Sequence, residues 1–206
     1  MVILTNKGYG FFEASSAFQK AIRRSEEETA MYFMVELYNS GYEEYLWKRI
    51  KIIASEDVGL ADPTMPVIIA ALYQNYSDQK KDNKEGRPER IFLAHAVLAL
   101  SRAWKSRFAD YNVIHFWRTH DEKKLDIPDY AFDKHTLKGK QMGRGLDHFY
   151  EEGAKITNDA KIPGEPEMKQ NAYDAVKKYP GKMKFTNGNR GKKTITLFDE
   201  DQQATE

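Results

Sequence analysis

Glu43–Tyr76 reads EEYLWKRIKIIASEDVGLADPTMPVIIAALYQNY, and its punctuation decides the fold class. Leu46, Ile50 and Ile53 recur at three-to-four spacing, which predicts an amphipathic helix from about Glu43 to Asp57. Gly59 is expected to end it, with Leu60 folding back as the apolar residue of a Schellman motif. Asp62 then caps a second helix, with Pro63 at its first position, where a missing N–H costs nothing. That helix, through VIIAALY, is apolar nearly all round, which predicts central burial.

Working outward, the same grammar repeats. One helix covers about Ala14 to Arg23. SEEE at Ser25–Glu28 matches a capping box, with Ser25 as N-cap and Glu28 reaching back. The helix behind it carries Met31, Met34 or Val35, and Tyr38, and Gly41 suits its left-handed C-cap. A further helix begins near Pro88 and carries IFLAHAVLAL, again apolar on every side. Another, about Arg107 to Thr119, shows Phe108, Tyr111, Ile114 and Trp117. After Leu125 the pattern weakens, and IPDYAF reads as extended. Lys138–Gly153 is glycine-rich, and one more helix is expected from Glu165 to Lys178. No repeat and no β-α alternation is visible. The class is mainly α: a helical bundle with a basic, partly irregular C-terminal tail.

The chain has 206 residues and no Cys, with Lys+Arg 32 against Asp+Glu 31. The length suits one domain with an appendage. The missing Cys excludes disulfide, thiolate-zinc, iron–sulfur and thiol-nucleophile chemistry. The longest central apolar run, Met65–Tyr73, is about half a membrane-spanning helix. The N-terminus shows no signal-peptide pattern, so the expected compartment is the cytoplasm, with no membrane contact. The balanced charge is uneven along the chain. Lys161–Lys193 holds nine basic residues against three acidic ones, and the last eight residues carry −4. The predicted organisation is an N-terminal extension (1–13), a helical domain (14–155) and a basic tail with an acidic tip (156–206).

Catalytic chemistry is mostly missing. There is no G-x-x-x-x-G-K-[ST] phosphate loop and no G-x-S-x-G elbow. His115, His120, Asp121, His135 and His148 are metal-ligand candidates. The five-residue step from His115 to His120 misses the i,i+4 spacing needed on a helix. His95 reads as a hydrogen-bonded core histidine. The expectation is no enzyme, no cofactor and no metal. The unusual feature is SEDVGLADP, Ser55–Pro63, because Glu56 and Asp57 occupy a helix C-terminus, where carboxylates oppose the dipole. Either they pair with Lys48, Arg49 or another helix, or they hold a partner chain or position the sharp turn into the next helix.

SEDVGLADP closely resembles the signature of the RarA/MgsA-type ATPases, the replication-associated recombination proteins, which include the eukaryotic Werner-helicase-interacting protein. SAFQKAIRRSEEETAMYF at Ser16–Phe33, RPERIFLAHAVLAL at Arg87–Leu100 and GRGLDHFY at Gly143–Tyr150 resemble further family stretches in order and spacing. The resemblance covers about Ala14–Tyr150. It implies a helical region related to the clamp-loader collar, through which family members form tetramers and act at stalled replication forks. The family's Walker A, Walker B and arginine finger have no counterpart in these residues, and Arg24 stands where Gly is usual. ATP hydrolysis is therefore not carried over.

The resemblance implies self-association as a dimer or tetramer, with DNA, a separate AAA+ ATPase or a sliding clamp as partners. The signature loop is Ser55, Glu56, Asp57, Gly59, Leu60, Asp62 and Pro63. Nucleic-acid candidates are Arg23, Arg24, Lys105, Arg107, Lys138, Lys140, Arg144, Lys177, Lys178, Lys182, Lys184, Arg190, Lys192 and Lys193. Interleaved Tyr173, Tyr179 and Phe185 suit stacking on single-stranded bases. Thr194, Ile195, Leu197 and Phe198 look like the bacterial clamp motif Q-L-x-L-F with Thr for Gln, or else form an edge strand of a hairpin. The functional expectation is a non-catalytic oligomeric module of DNA replication, recombination and repair. The alternative is an interaction scaffold that touches no nucleic acid.

Overall fold

The computed structural model describes residues 3–81 and 86–179, and among them it is helical with no strand beyond an isolated bridge between Leu4 and Gly10. The elements are α1 (Phe11–Arg23), α2 (Glu27–Asn39), α3 (Glu43–Ile53), α4 (Met65–Lys81), α5 (Arg90–Arg102), α6 (Phe108–Thr119), α7 (Leu137–Gln141), α8 (Leu146–His148) and α9 (Glu165–Lys178). A π turn at Ala54–Val58 prolongs α3, and another at Phe149–Gly153 prolongs α8. The mainly α reading holds. The chain divides into two compact units, Met1–Leu125 and Asp126–Glu206.

The first unit packs α1 on α2, α2 on α5, and α3 and α5 on α4. Its core is built from Phe18, Ile22, Leu37, Leu46, Trp47, Ile50, Ile53, Ile69, Leu93 and Leu100, all essentially inaccessible. The 46/50/53 periodicity of α3 is therefore the buried stripe it was read to be. On α2 it is Met34 that turns inward, while Val35 is exposed. Trp47 lies edge-on to Tyr73 and tilted against Tyr76, with centroids 5.2 and 5.1 Å apart.

Several local readings are corrected. α2 starts at Glu27 without a capping box, because Ser25 closes α1 instead. Ser25 has φ 62, its N–H reaches the Ile22 carbonyl, and the Glu26 N–H reaches Ala21, which together make a Schellman turn. Gly41 ends α2 in the same way, as expected. Gly59 does not form a Schellman turn: its φ 50 and ψ −127 lie outside the left-handed helical well, and Leu60 is exposed. α4 begins at Met65, two residues beyond Pro63. Asp62 there accepts the Thr64 N–H and hydroxyl at 3.1 and 2.6 Å. α4 buries only the stripe Met65, Ile69, Leu72 and Tyr76 and leaves Val67 70% exposed. α5 exposes Ile91, and His95 is exposed rather than core. α6 buries no side chain.

The start of α3 is tied to α4 by Glu43, which accepts from the Tyr76 hydroxyl at 2.9 Å and from the Lys80 ammonium. Partial burial pushes the Glu43 carboxyl up, but the Lys80 and Tyr76 donors outweigh it and hold the group below its ordinary value. A carboxylate depressed on folding stabilises above its unfolded pKa and loses that contribution as pH falls through the folded one. Glu43→Gln will therefore flatten the loss of stability below about pH 4, read by chemical denaturation across a pH series. Ser25→Gly will raise stability by about 0.5–1 kcal/mol, since glycine relieves the left-handed strain at the cost of unfolded-state entropy. Urea unfolding checks it, and a lower midpoint would contradict the strain assignment.

Candidate functional site

The signature residues converge on one buried carboxylate. The π turn carries Asp57 inward at the end of α3, where its side chain is fully inaccessible. Arg23, in the last turn of α1, donates Nε to Asp57 Oδ1 at 2.5 Å and Nη2 to Glu56 Oε1 at 3.1 Å. Gln19, one turn earlier on α1, donates Nε2 to Asp57 Oδ2 at 3.0 Å. Arg49 of α3 donates to the Gln19 side-chain oxygen Oε1. Arg107, just before α6, lies 3.5 Å from Glu56 and 3.8 Å from Asp57, and donates to Asp110. The hydrogen bond from Arg23 to Asp57 holds the Arg23 guanidinium above its ordinary pKa. The pair therefore bridges to other helices, and the dipole conflict is offset by two guanidiniums.

The same turn clamps the segment between α5 and α6. The Ser106 N–H donates to the Asp57 carbonyl at 2.9 Å. A Cβ on Gly59 would stand 3.1 Å from the Ser106 carbonyl oxygen, so the segment passes where a side chain would be. Lys105 turns its ammonium onto the Ser101 and Ala103 carbonyls at 3.1 and 2.6 Å, neutralising the C-terminal end of α5. Burial pushes the Lys105 ammonium below its usual pKa, with the Asp57 charge opposing. Lys105, Ser106 and Arg107 are thus each anchored, while Trp104 beside them is 85% exposed. α6 follows with Phe108, Tyr111, Phe116 and Trp117 all more than half exposed.

This placement sorts the candidate residues. Ser55 and Leu60 of the signature face solvent, and Pro63 is exposed. Arg23, Arg107 and Lys105 are engaged within the network. Arg144 forks onto the Asp129 carboxylate, both contacts at 2.7 Å, and also reaches the Asp129 and Phe132 carbonyls. Lys177 sits 3.5 Å from Asp147, Lys138 lies 4.0 Å over the Phe132 ring, and Lys178 lies 5.4 Å over that of Tyr179. Arg24 and Lys140 are exposed. Lys182, Lys184, Arg190, Lys192 and Lys193, and the clamp-like Thr194, Ile195, Leu197 and Phe198, lie outside the described residues, as does Phe185. Among the described residues no group of three His, Asp or Glu is placed to hold a metal ion, and no helix is long and apolar enough to cross a membrane. The sequence reading missed Gln19 and Asp110, and it offered Arg49 to the acidic pair, whereas Arg49 donates to Gln19 instead. Gln19 and Asp110 had a signal, at i−4 from Arg23 and i+3 from Arg107 on their helices.

Residues 24–185 match the family model described as the MgsA AAA+ ATPase C terminal. The replication-associated recombination protein A of Bacillus subtilis is 32% identical over 146 residues, 69% of this chain and 33% of the relative. That of Haemophilus influenzae is 31% identical over 176 residues, 81% of this chain and 37% of the relative. That of Escherichia coli K12 is 29% identical over 205 residues, 97% of this chain and 43% of the relative. The chain therefore spans well under half the length of these relatives.

Asp57→Asn removes the charge that two guanidiniums share in a buried setting and will cost about 3–5 kcal/mol. Glu56→Gln, at a partly exposed position, will cost about 1 kcal/mol or less. Arg23→Lys will also lower stability, because a lysine lacks the planar fork that places Nε on Asp57 and Nη2 on Glu56. Urea unfolding of the three variants checks the order, and equal losses at Asp57 and Glu56 would contradict it.

Proposed function

The chain belongs to the MgsA AAA+ ATPase C-terminal family, and from that premise we propose that it is a self-associating, non-catalytic module of DNA replication and recombination. Its assembly partners are further copies of itself, and it works alongside an AAA+ ATPase domain. A sliding clamp is a further candidate through Ile195, Leu197 and Phe198. Two matches support the role: the relatives' shared description, and the position of the matched region in the C-terminal part of an ATPase rather than in its nucleotide-binding part.

The observation that carries the self-association is α6. Its Phe108, Tyr111, Val113, Ile114, Phe116 and Trp117 surround the helix with apolar side chains, and none is buried. A helix apolar all round belongs inside a structure, so this one is complete only when covered. Aromatic side chains bury roughly 150–250 Å² each. Four on α6 and Trp104 beside them, all more than half exposed, approach the roughly 800 Å² per partner of a standard interface. The Asp57 network supports the reading, because an anchored loop presents Trp104 and α6 at little ordering cost.

A second reading, assembly without nucleic acid, draws on the ion pairs that engage Arg23, Arg107 and Arg144. It leaves the lysines of the second unit as the cations to test.

Sedimentation equilibrium at micromolar concentration will show a dimer or tetramer. Trp117→Glu together with Ile114→Glu will shift the mass to the monomer with an unchanged far-ultraviolet spectrum. A monomeric parent chain, or an oligomer indifferent to both substitutions, would overturn the assignment.

A further inference from the structure

Ahead of α1 the chain makes a tight turn in which every backbone N–H from Thr5 to Tyr9 donates. Thr5 gives its N–H to the Tyr9 carbonyl at 2.8 Å, Gly8 to the Thr5 carbonyl at 2.9 Å, and Tyr9 to the Thr5 hydroxyl at 3.2 Å. Gly8 takes φ 83, a left-handed value that suits glycine. The other two N–H groups leave the turn and land on the last turns of α2. Asn6 donates to Ser40 Oγ at 2.9 Å, and Lys7 donates to Glu36 Oε1 at 2.8 Å. The Asn6 side chain reaches the Asn39 carbonyl at 2.8 Å, an acceptor that the end of α2 leaves without a partner in the helix. The Phe11 N–H, at the start of α1, returns to the Ile3 carbonyl at 2.9 Å. One short segment thus caps the start of α1 and the end of α2 together. Side chains add a second tier: Lys7 Nζ donates to the Tyr32 hydroxyl at 3.3 Å, and the Tyr9 and Tyr32 hydroxyls meet at 3.0 Å.

Neither the self-association surface nor the signature network uses this segment. We propose that residues 3–10 are a latch, a two-state element that closes on α2 and opens as a unit while the helical core stays folded. Glu36 is its catch. The side chain is buried, and it accepts the Lys7 N–H. The Thr5 hydroxyl first, and the Lys7 N–H second, hold its carboxyl below the ordinary value against the opposing effect of burial. Little apolar surface holds the latch down. From Ile3 to Gly10 only Thr5 is buried, while Ile3 and Leu4 are half exposed. Hydrogen bonds exchanged against water are individually weak, so an element built from them opens locally. Phe11, packed on Tyr42 and Tyr45, begins the core, and opening stops there. Closed, the latch fixes the chain ahead of Thr5 against two helix ends, with the Tyr9 ring edge-on to Phe33. Open, it frees that chain and uncovers Glu36 with the Tyr32 and Phe33 face of α2. The latch therefore sets whether this end of the chain is held or free, and with it access to that face.

Native-state hydrogen exchange on the full chain, read amide by amide, tests this. The N–H groups from Thr5 to Tyr9 are expected to share one protection factor, below that of core amides such as those of Ile22 and Ile50. Their exchange will depend only weakly on urea, because opening exposes little surface, whereas core exchange will depend on it steeply. Glu36→Ala will lower the protection of the whole group about tenfold, together. Circular dichroism verifies that the variant folds. A pH series isolates the catch. A carboxyl depressed in the closed state stabilises that state above its ordinary pKa, and the contribution is lost as pH falls through the closed-state value. Protection in the parent, corrected for intrinsic exchange, will therefore fall below about pH 4, and Glu36→Gln will stay flat. The titratable groups that face Glu36, namely Lys7, Tyr9 and Tyr32, keep their protons throughout that range. Turn amides that exchange freely in the parent, or only together with the core and with its urea dependence, would overturn the latch. So would a Glu36→Ala effect confined to the Lys7 amide. A parental pH profile as flat as that of Glu36→Gln would overturn Glu36 as the catch. Self-association, read by sedimentation, is untouched by any of these results.

Discussion

A carboxylate held at zero exposure must be matched by charge, and in this protein the match comes from two guanidiniums on two other elements. Asp57 stands at the end of α3, Arg23 and Gln19 at the end of α1, and Arg107 at the start of α6. Satisfying it therefore positions three helix termini at once. Its backbone carbonyl does further work by receiving the Ser106 N–H, which brings in the segment after α5. The π turn makes this possible. One wider turn lets Asp57 point inward while Glu56 stays near the surface, bridging Arg23 and Arg107. Gly59 then lets the chain pass beneath Ser106 with no side chain in the way.

The signature loop thus reads as architecture before function. Its acidic pair is spent on internal guanidiniums, and the loop's consequence lies one segment away, in the rigid presentation of Trp104 and α6. The second unit is built differently. It has two short helices, α7 and α8, a glycine-permitted close approach and ring-edge contacts, and its Phe149, Tyr150 and Tyr173 are partly open to solvent.

Much of the fold is legible in the residues because it follows local rules. The 46/50/53 stripe of α3, the glycine stop at Gly41 and the helix from Glu165 to Lys178 each depend on spacing within a few residues. The errors arise where one residue can serve two neighbours. Ser25 has the chemistry of an N-cap for α2, yet the backbone uses it as the left-handed close of α1, because the link between the two helices is too short for both roles. Asp62 and Pro63 look like a cap and a first turn, but Asp62 folds its carboxylate onto Thr64 and the helix waits until Met65. His95 shows the limit of composition: an apolar setting in sequence is not burial when only one stripe of the helix turns inward.

The sequence by itself determined the helical class, the order of the main helices, the family and the fact that Glu56 and Asp57 needed cationic partners. Only the tertiary structure decided which partners. Arg23 and Arg107 are far from the pair along the chain, and periodicity reports a helix's own faces, not which other helix meets them. The same reason explains α4, α5 and α6. Each is rich in apolar residues along most of its length, and nothing in a single chain's pattern distinguishes an apolar side chain buried at home from one left exposed for another molecule. That difference is set by how many neighbours the fold supplies. α5 is surrounded on several sides, α4 on one stripe, and α6 with no side chain fully covered.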